Sequence, residues 1–287
     1  MRIGIGLPAA VPGSDPTAIG DWAAASEARG FHSLAVIDRL VYDNLDPLVA
    51  LAAAAARTER IELLTTVLNT GYRRNPIVLA KQIDSLERLS GGRLTVGLGM
   101  GGWPEDYAVS EVTLAGRGAA FESALAAMRT VWRGEVSGAS GPVPALPPGR
   151  PGVLLAGVVP AGFARAAALS GGWVAPSFGR QTLHAGIEAV HREWSRARRP
   201  GRPRVVVERY FCLGPGAAEI AEAYVKHYYG AEYVEQIRPD ILGDETHLRN
   251  EIDHLTEAGA DDLLLFPSTG ALEQIDLLAE ALGGFVG

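Results

Sequence analysis

The sequence predicts an α/β fold, a TIM-type (β/α)8 barrel that forms a single domain over residues 1–287. About eight short apolar runs alternate with helical segments along the chain. Each run is hydrophobic throughout, which is typical of strands buried on both faces of a parallel sheet. No break in composition separates one part of the chain from another. A doubly wound open sheet is the alternative that the same pattern allows.

The first half of the chain supplies four strands and four helices. The predicted strands cover residues 3–8, 33–37, 62–69 and 93–99, and the predicted helices cover 17–29, 47–58, a segment after Pro76, and 118–133. Asp46 is expected to cap the second helix, with proline at its first position. In the third helix Leu79, Ile83 and Leu86 follow the spacing of a buried helical face. Residues 103–116 are predicted to be a polar connection without a helix.

The second half resumes the alternation after an excursion before the fifth strand. Residues 134–152 are rich in Gly, Pro, Ser and Ala, and we interpret them as an ordered surface excursion or a mobile lid. The predicted strands are 153–156, 173–175, 205–213 and 262–267, and the predicted helices are 160–169, 183–196, 217–229 and two more around residues 248–255 and 272–282.

Composition excludes several classes of protein. A formal net charge of −7 argues against nucleic acid or an anionic membrane as the main partner. The single cysteine, Cys212, rules out an intrachain disulfide and is expected to be a small buried hydrophobe. The longest apolar run, residues 47–56, is too short to span a bilayer. The chain enters its first strand at once, without room for a signal peptide, so we expect a cytoplasmic protein.

A ligand site is expected at the carboxyl ends of the barrel strands. Single residues expected there are Leu7, Pro8, Asp38, Arg39, Tyr210, Pro267 and Ser268. Short segments expected there are Thr66–Asn69, Gly99–Trp103, Ala156–Val158 and Ala175–Phe178. They include no histidine and no group of carboxylates, so we expect no metal site. Neither Lys81 nor Lys226 lies there, which excludes Schiff-base chemistry. Glycine, small residues, hydroxyls, amides and aromatics suit a flat, conjugated cofactor gripped by the backbone.

Residues 97–102 match G-x-G-x-x-G, the dinucleotide-binding fingerprint. The context does not fit, because Trp103-Pro104-Glu105-Asp106 does not open an amphipathic helix and the strand is not the first of the chain. Two interpretations remain. The glycines make a tight turn, or they thin the strand end so that a planar ring lies against the backbone.

Asp38 and Arg117 each have two interpretations, and one further segment is a candidate anion site. Asp38 forms an ion pair with Arg39, Arg73 or Arg74, or it accepts a hydrogen bond from a ring N–H or hydroxyl of a cofactor. Arg117 binds a phosphate or belongs only to a helix start. Residues 156–160 lead into a helix N-terminus, whose free N–H groups form an anion site.

Taken together, four segments resemble the bacterial luciferase-like superfamily of flavin- and deazaflavin-dependent oxidoreductases. They are GFHSLAVID at 30–38, TVLN at 66–69 with YRRNP at 72–76, LERLSGGR at 86–93 leading into VGLG at 96–99, and AGADDLLLFP at 258–267. The resemblance extends over essentially the whole chain. It implies a TIM-type barrel that binds reduced FMN or coenzyme F420 at its carboxyl face.

The resemblance also implies roles for individual residues. A non-prolyl cis peptide behind the ring would match Thr66–Val67. Asn69, Met100, Gly101 and Trp103 would flank the ring, while Arg117, Gly157, Val158 and Ser177 would approach the phosphate. With the strand-end positions, the candidate cofactor-binding residues are Leu7, Asp38, Thr66, Val67, Asn69, Gly99, Met100, Gly101, Trp103, Arg117, Ala156, Gly157, Val158 and Ser177.

One departure from the family pattern bears on the reaction. Many F420-dependent dehydrogenases of this superfamily carry a histidine after the strand-two acid, where this chain has Arg39. That favours a monooxygenase, in which the protein mainly orients the cofactor and excludes water. Arg39, Tyr42 and Tyr210 are the candidates for catalysis, with Arg39 steering an oxygen species or an anionic substrate and the tyrosines walling the substrate side. Trp103 is a further candidate for that wall.

The function that the resemblance implies, together with Arg39 in place of histidine, is a luciferase-like monooxygenase that uses reduced FMN and O2 on a small organic substrate. A separate flavin reductase would supply the reduced FMN. The alternative is an F420-dependent oxidoreductase acting by hydride transfer, and a further alternative is a non-catalytic flavin-binding barrel. A homodimer is expected through the small-residue face at 52–56.

Overall fold

Eight parallel strands close into a barrel in the computed structural model, which describes residues 1–177 and 179–285. The strands are β1 Arg2–Gly6, β2 Ser33–Val36, β3 Glu62–Asn69, β4 Leu94–Gly99, β5 Gly152–Ala156, β6 Gly172–Val174, β7 Arg204–Phe211 and β8 Asp262–Pro267. Each pairs in parallel with the next, and β8 pairs with β1. The TIM-type barrel is confirmed, and the open sheet is wrong. Phe178 lies outside the described residues.

Helices surround the barrel between successive strands. They are α1 Ile19–Ala28, α2 Pro47–Ala55, α3 Pro76–Leu89, α4 Pro104–Val109, α5 Arg117–Trp132, α6 Pro160–Leu169, α7 Arg180–Arg196, α8 Ala217–Tyr229, α9 Val234–Ile237, α10 Glu245–Ala258 and α11 Glu273–Leu282. Side-chain caps fix several starts. Asp46 accepts from the Leu48 and Val49 N–H groups, and Asn75 caps α3 in the same way, each just before a proline at the first helical position.

Two stretches differ from the prediction. The segment after Trp103 opens the short helix α4, because Pro104 starts it and Tyr107 packs inward. After α8, the helix α9 and a two-residue strand, Ile241–Leu242, precede α10, and that strand pairs with the end of β7. These helices and this strand are too short to be predicted from a periodic pattern of hydrophobic residues.

The predicted excursion before the fifth strand is confirmed. It carries the paired strands Ser137–Gly138 and Gly141–Pro142. Arg88 Nη2 donates to the Pro144 carbonyl and Arg150 Nη2 to the Leu94 carbonyl. Since Leu94 begins β4, the excursion lies at the amino end of the barrel. A lid over the opposite end is therefore excluded.

Two apolar layers form the core. One fills the barrel and includes Ala35, Leu64, Leu154, Val206 and Leu264. The other packs the outer faces of the strands against the helices. Cys212 is fully buried, as expected. Among the described residues, no helix combines the length and apolar character needed to cross a membrane.

Charged side chains close the amino end of the barrel. Arg204 donates to both carboxylate oxygens of Glu62 at 2.8 Å and to those of Asp262 at 2.8 and 2.9 Å. Burial alone would raise the Glu62 pKa, but Arg204 more than offsets this and lowers it. His32 lies near these carboxylates, in an arrangement that resembles a metal-ligand set. Because Arg204 occupies the carboxylates, we interpret the group as structural, as is usual at this end of such barrels.

Candidate functional site

Asp38 ties the end of β2 to the loop that follows β3. Its Oδ2 accepts hydrogen bonds from the Asn69 backbone N–H at 2.8 Å, the Tyr72 hydroxyl at 2.9 Å and Arg73 Nη2 at 3.1 Å. The Asn69 amide returns a bond to the Asp38 carbonyl at 2.8 Å. Burial raises the pKa of Asp38, and the Arg73 charge opposes that rise. Of the predicted partners, Arg73 forms the ion pair, so Asp38 organises the backbone around Asn69.

The end of β3 bulges toward β4. The Thr66–Val67 peptide is cis, as the family resemblance implied, and the register between the two strands shifts between Thr65 and Leu68. A Cβ at Gly97 would lie 2.3 Å from the Thr65 carbonyl oxygen, and one at Gly99 would lie 2.6 Å from Val67 Cγ2. The glycines of β4 therefore admit the neighbouring strand. This is a role that neither interpretation of the glycine run included.

The segment after β4 is held from two sides. The Tyr107 hydroxyl donates to the Met100 carbonyl, and Arg117 Nη1 donates to the Gly101 carbonyl at 3.0 Å. Gly101 has a φ of +81°, a backbone conformation that suits glycine. Arg117 is the first residue of α5 and in this structure fixes the loop. Its predicted approach to a phosphate remains a prediction.

Arg39 is clamped rather than free. Its guanidinium lies 3.6 Å from the centroid of the Trp103 ring. It donates to the Tyr228 carbonyl at 2.8 Å and forms an ion pair with Glu105. With only 8% of Arg39 exposed, the side chain joins three segments at the barrel mouth. Among the described residues, its Nε is buried without a hydrogen-bond partner.

Aromatic side chains from the end of α8 close the barrel mouth. Tyr42 hydrogen-bonds His227 Nδ1 at 2.7 Å, and Tyr210 hydrogen-bonds Tyr229 at 2.7 Å. The Trp103 ring lies 6.1 Å from that of Tyr228. Burial raises the pKa of Tyr42 to about 12 and that of Tyr210 well above its ordinary value. Both tyrosines are therefore neutral, and their predicted contact with a substrate remains a prediction.

The remaining candidates are spread over a wider area. Gly157 lies between β5 and α6, where its carbonyl accepts from Trp173 Nε1 at 2.9 Å, and Val158 beside it is 54% exposed. Ala156 is half-buried and packs against the apolar layer inside the barrel. Leu7 is buried in the outer layer between strands and helices. Ser177 is also buried, and its hydroxyl donates to a glutamate that is not among the residues predicted from the sequence.

That acid is Glu208 on β7. Its Oε2 accepts a hydrogen bond of 2.8 Å from Ser177, whereas Oε1 is buried without a partner among the described residues. Burial raises the pKa of Glu208 to about 7, and the Thr66 and Ser177 hydroxyls and Arg209 offset only part of that rise. Glu208 is therefore an acid that the strand-end residues predicted from the sequence did not include. Alternate residues of a strand face the same side, and Val206 and Tyr210 face the inside of the barrel, so Glu208 between them faces inward too. This alternation can be read from the sequence.

Comparison with known proteins assigns the family. The model of the luciferase-like monooxygenase family matches residues 1–271. The chain belongs to this family. Its members are oxidoreductases, so the luciferase-like chain is an enzyme, as predicted. They include F420-dependent enzymes as well as a monooxygenase.

Curated relatives match parts of this luciferase-like chain. An uncharacterized protein of Mycobacterium tuberculosis is 43% identical over 93 residues, which is 32% of each chain. An F420-dependent glucose-6-phosphate dehydrogenase of Tsukamurella paurometabola is 29% identical over 150 residues, 49% of this chain and 45% of that protein. A 5,10-methylenetetrahydromethanopterin reductase of Methanolobus tindarius is 37% identical over 91 residues, 32% of this chain and 27% of the relative. The chain thus spans less than half the length of these relatives.

Solved structures match nearly the whole luciferase-like barrel. Monooxygenase RslO1 from Streptomyces bottropensis aligns with a TM-score of 0.79 at 22% identity, covering 98% of both chains. An F420-dependent secondary alcohol dehydrogenase bound to an F420-acetone adduct aligns with a TM-score of 0.80 at 17% identity, covering 100% of both. At these identities the likeness shows the fold alone.

Proposed function

We propose that this protein is an F420-dependent oxidoreductase that transfers a hydride between the deazaflavin and a small organic substrate. Curated relatives that match parts of the chain carry F420-dependent names, and the structural neighbours include F420 enzymes. When bound, F420 supplies or accepts the hydride, while the protein binds and orients the reactants.

The observation that carries the proposal is the arrangement where β3 meets β4. Gly97 and Gly99 let the Thr66–Val67 bulge approach β4. Beside it, Thr66 Oγ1 and Glu208 Oε1 are both buried, and neither makes a well-formed hydrogen bond among the described residues, although the Thr66 hydroxyl lies close enough to lower the Glu208 pKa. Buried polar atoms without partners are rare in native proteins, because each costs about 1–3 kcal/mol. A ring with polar edges fits this place, since it would satisfy them.

The residues that would hold the cofactor follow from this arrangement. Val67 and Asn69 would line the ring from β3, and Met100 and Gly101 from the loop after β4. Gly157 and Val158, before the N-terminus of α6, would meet the anionic tail together with Arg117. The remaining candidates for contact are Asp38, Thr66, Gly99, Trp103, Ala156 and Ser177.

An FMN-dependent monooxygenase is the second candidate, and the aromatic closure of the mouth supports it. Trp103, Tyr228 and Tyr229 pack together there, and a site that excludes water suits oxygen chemistry. RslO1, a monooxygenase, shares the fold. This candidate requires a flavin reductase as partner.

The spectrum of the cofactor that copurifies from a host making both F420 and FMN separates the two candidates. We expect the absorbance and fluorescence of F420. Copurification of FMN alone, together with oxygen consumption on addition of a flavin reductase, would support the monooxygenase instead. Bound cofactor that no aldehyde, ketone or polycyclic substrate turns over would indicate a non-catalytic barrel.

We further propose that α2 forms a homodimer interface. Ala54 and Ala55 pack inward, while Ala53 and Ala56 are exposed. Val49, on the same helix, is 63% exposed. We expect light scattering to give a dimer for the wild type and a monomer for Val49→Asp. The matched control Val109→Asp, at an equally exposed position on α4, should leave the dimer intact. A monomeric wild type would remove this proposal.

A further inference from the structure

The inner wall of the barrel mouth carries a line of hydroxyls that ends on Glu208. The Tyr210 and Tyr229 hydroxyls hydrogen-bond each other at 2.7 Å, and Tyr229 also interacts with Ser177. Ser177 in turn donates to Glu208 Oε2 at 2.8 Å. The line starts on β7, passes through α8 and the segment after β6, and returns to β7. Glu208 thus lies next to the Thr66–Val67 bulge, with Oε2 hydrogen-bonded to Ser177 and Oε1 buried without a well-formed hydrogen bond among the described residues.

The hydrogen bonding assigns the proton of this carboxyl to one atom. Oε2 accepts from Ser177, so a proton on the carboxyl group resides on Oε1. That atom and Thr66 Oγ1 are both buried, and in the part of the chain that the structure describes neither makes a well-formed hydrogen bond, although the Thr66 hydroxyl lies close enough to lower the Glu208 pKa. A protonated Oε1 is a hydrogen-bond donor in need of an acceptor.

Among the residues that the structure describes, no cation pairs with Glu208. Arg209 follows it on β7, but successive side chains alternate across a strand. Arg209 points outward and donates to Glu251 at 2.8 Å, and both members of that ion pair are fully buried. The titratable groups that face Glu208 from α8 are the phenols of Tyr224 and Tyr229, which burial keeps neutral. A carboxyl group in such surroundings favours its neutral form.

We propose that Glu208 is an acid/base residue of this site, holding on Oε1 a proton that it shares with an acceptor atom of the ligand bound at the mouth. The inference rests on the proposed function, which supplies that ligand. It also answers a gap in the chemistry. Hydride transfer to a carbonyl carbon needs a proton for the oxygen, and Arg39 does not supply it, because its guanidinium is held by Trp103 and Glu105.

Reduction of a carbonyl at this site needs one hydride and one proton. Bound reduced F420 would supply the hydride, and the carbonyl oxygen of the substrate would take the proton from Oε1. The O–H bond of the carboxyl breaks, a new O–H bond forms on the substrate, and Glu208 remains as the carboxylate. In the reverse direction the carboxylate removes the proton from the alcohol. The Ser177 hydroxyl stays donated to Oε2 in both states.

The test compares the wild type with Glu208→Gln, which keeps the shape of the side chain but cannot exchange a proton. Infrared difference spectra of the ligand-free proteins should show a protonated carboxyl band below neutral pH. That band should be absent from Glu208→Gln and should disappear from the wild type as the pH rises. The exposed residue Glu219 on α8 supplies the control Glu219→Gln, which should retain the band.

Calorimetric titration with F420 in two buffers of different ionisation enthalpy then counts protons. A donated hydrogen bond raises the carboxyl pKa further, so the wild type should take up as much as about half a proton at pH 7. Glu219→Gln should do the same and Glu208→Gln should take up none. Failure of the wild type to bind F420 would contradict the proposed function. Normal binding without the infrared band, or with equal proton uptake in Glu208→Gln, would overturn the role of Glu208.

Discussion

Asp38 and Asn69 hold each other through two hydrogen bonds of 2.8 Å, one in each direction. The carboxylate accepts from the Asn69 backbone, and the Asn69 amide donates to the Asp38 backbone. The pair joins the ends of β2 and β3, immediately after the bulge at Thr66–Val67. The backbone around the candidate site is thus fixed by a buried acid that belongs to the protein, before any ligand binds.

Removal of this acid should be costly for stability. Asp38→Ala removes the acceptor of the Tyr72 hydroxyl and the buried member of the Arg73 ion pair, leaving Arg73 with Asp46 at 3.5 Å. We expect the free energy of unfolding to fall by about 3 kcal/mol, the usual cost of breaking a buried ion pair. Tyr72→Phe removes one neutral donor and should cost about 1 kcal/mol. Urea denaturation measures both. Asp38→Ala within 1 kcal/mol of the wild type would show that the carboxylate does not organise this loop.

The contact between β3 and β4 should limit the substitutions that are tolerated at Gly99. A Cβ there lies 2.6 Å from Val67 Cγ2, so Gly99→Ala should destabilise the protein by about 1–3 kcal/mol and weaken cofactor binding. Val67→Ala removes the clashing methyl group, and the double variant should recover part of the loss. Gly102→Ala is the matched control, because its added methyl group meets open space. Equal effects of the two alanines would rule out the contact as the cause.

Stability should depend on pH through Glu208. Its pKa is about 7 when folded and near 4.5 when unfolded, so the folded state binds more protons between those values. The free energy of unfolding should therefore fall as pH rises from about 4.5 to 7, by about 3 kcal/mol from this group alone. Glu208→Gln should remove that fall. Urea denaturation at a series of pH values measures it, and identical pH profiles for the two proteins would contradict the raised pKa.

Arg39 should hold α8 over the mouth. Arg39→Ala removes the donor to the Tyr228 carbonyl and the cation that lies against Trp103. We expect faster amide hydrogen exchange at residues 224–229, because the end of the helix loses its attachment. Arg74→Ala is the control, since that side chain is 65% exposed. Unchanged exchange in Arg39→Ala would mean that apolar packing alone closes the mouth.

The sequence predicts the barrel because its strands are apolar throughout and alternate with helices. Whether the role of a single residue can be predicted depends on how far away in the sequence its partners lie. The cap at Asp46 and the parity of Glu208 are local, and the latter was visible beside Tyr210 on the same strand. The clamp on Arg39 joins residues far apart in sequence, including Glu105 and Tyr228. No pattern within one strand or helix encodes such a contact.

The central claim is that the mouth of this luciferase-like barrel binds F420. Fluorescence titration of the purified, ligand-free protein with F420 and with reduced FMN under anaerobic conditions tests it most directly. We predict saturable F420 binding that is tighter than FMN binding, and that is weakened by Gly99→Ala but not by Gly102→Ala. Tight binding of FMN with no binding of F420, or binding of neither, would contradict the claim.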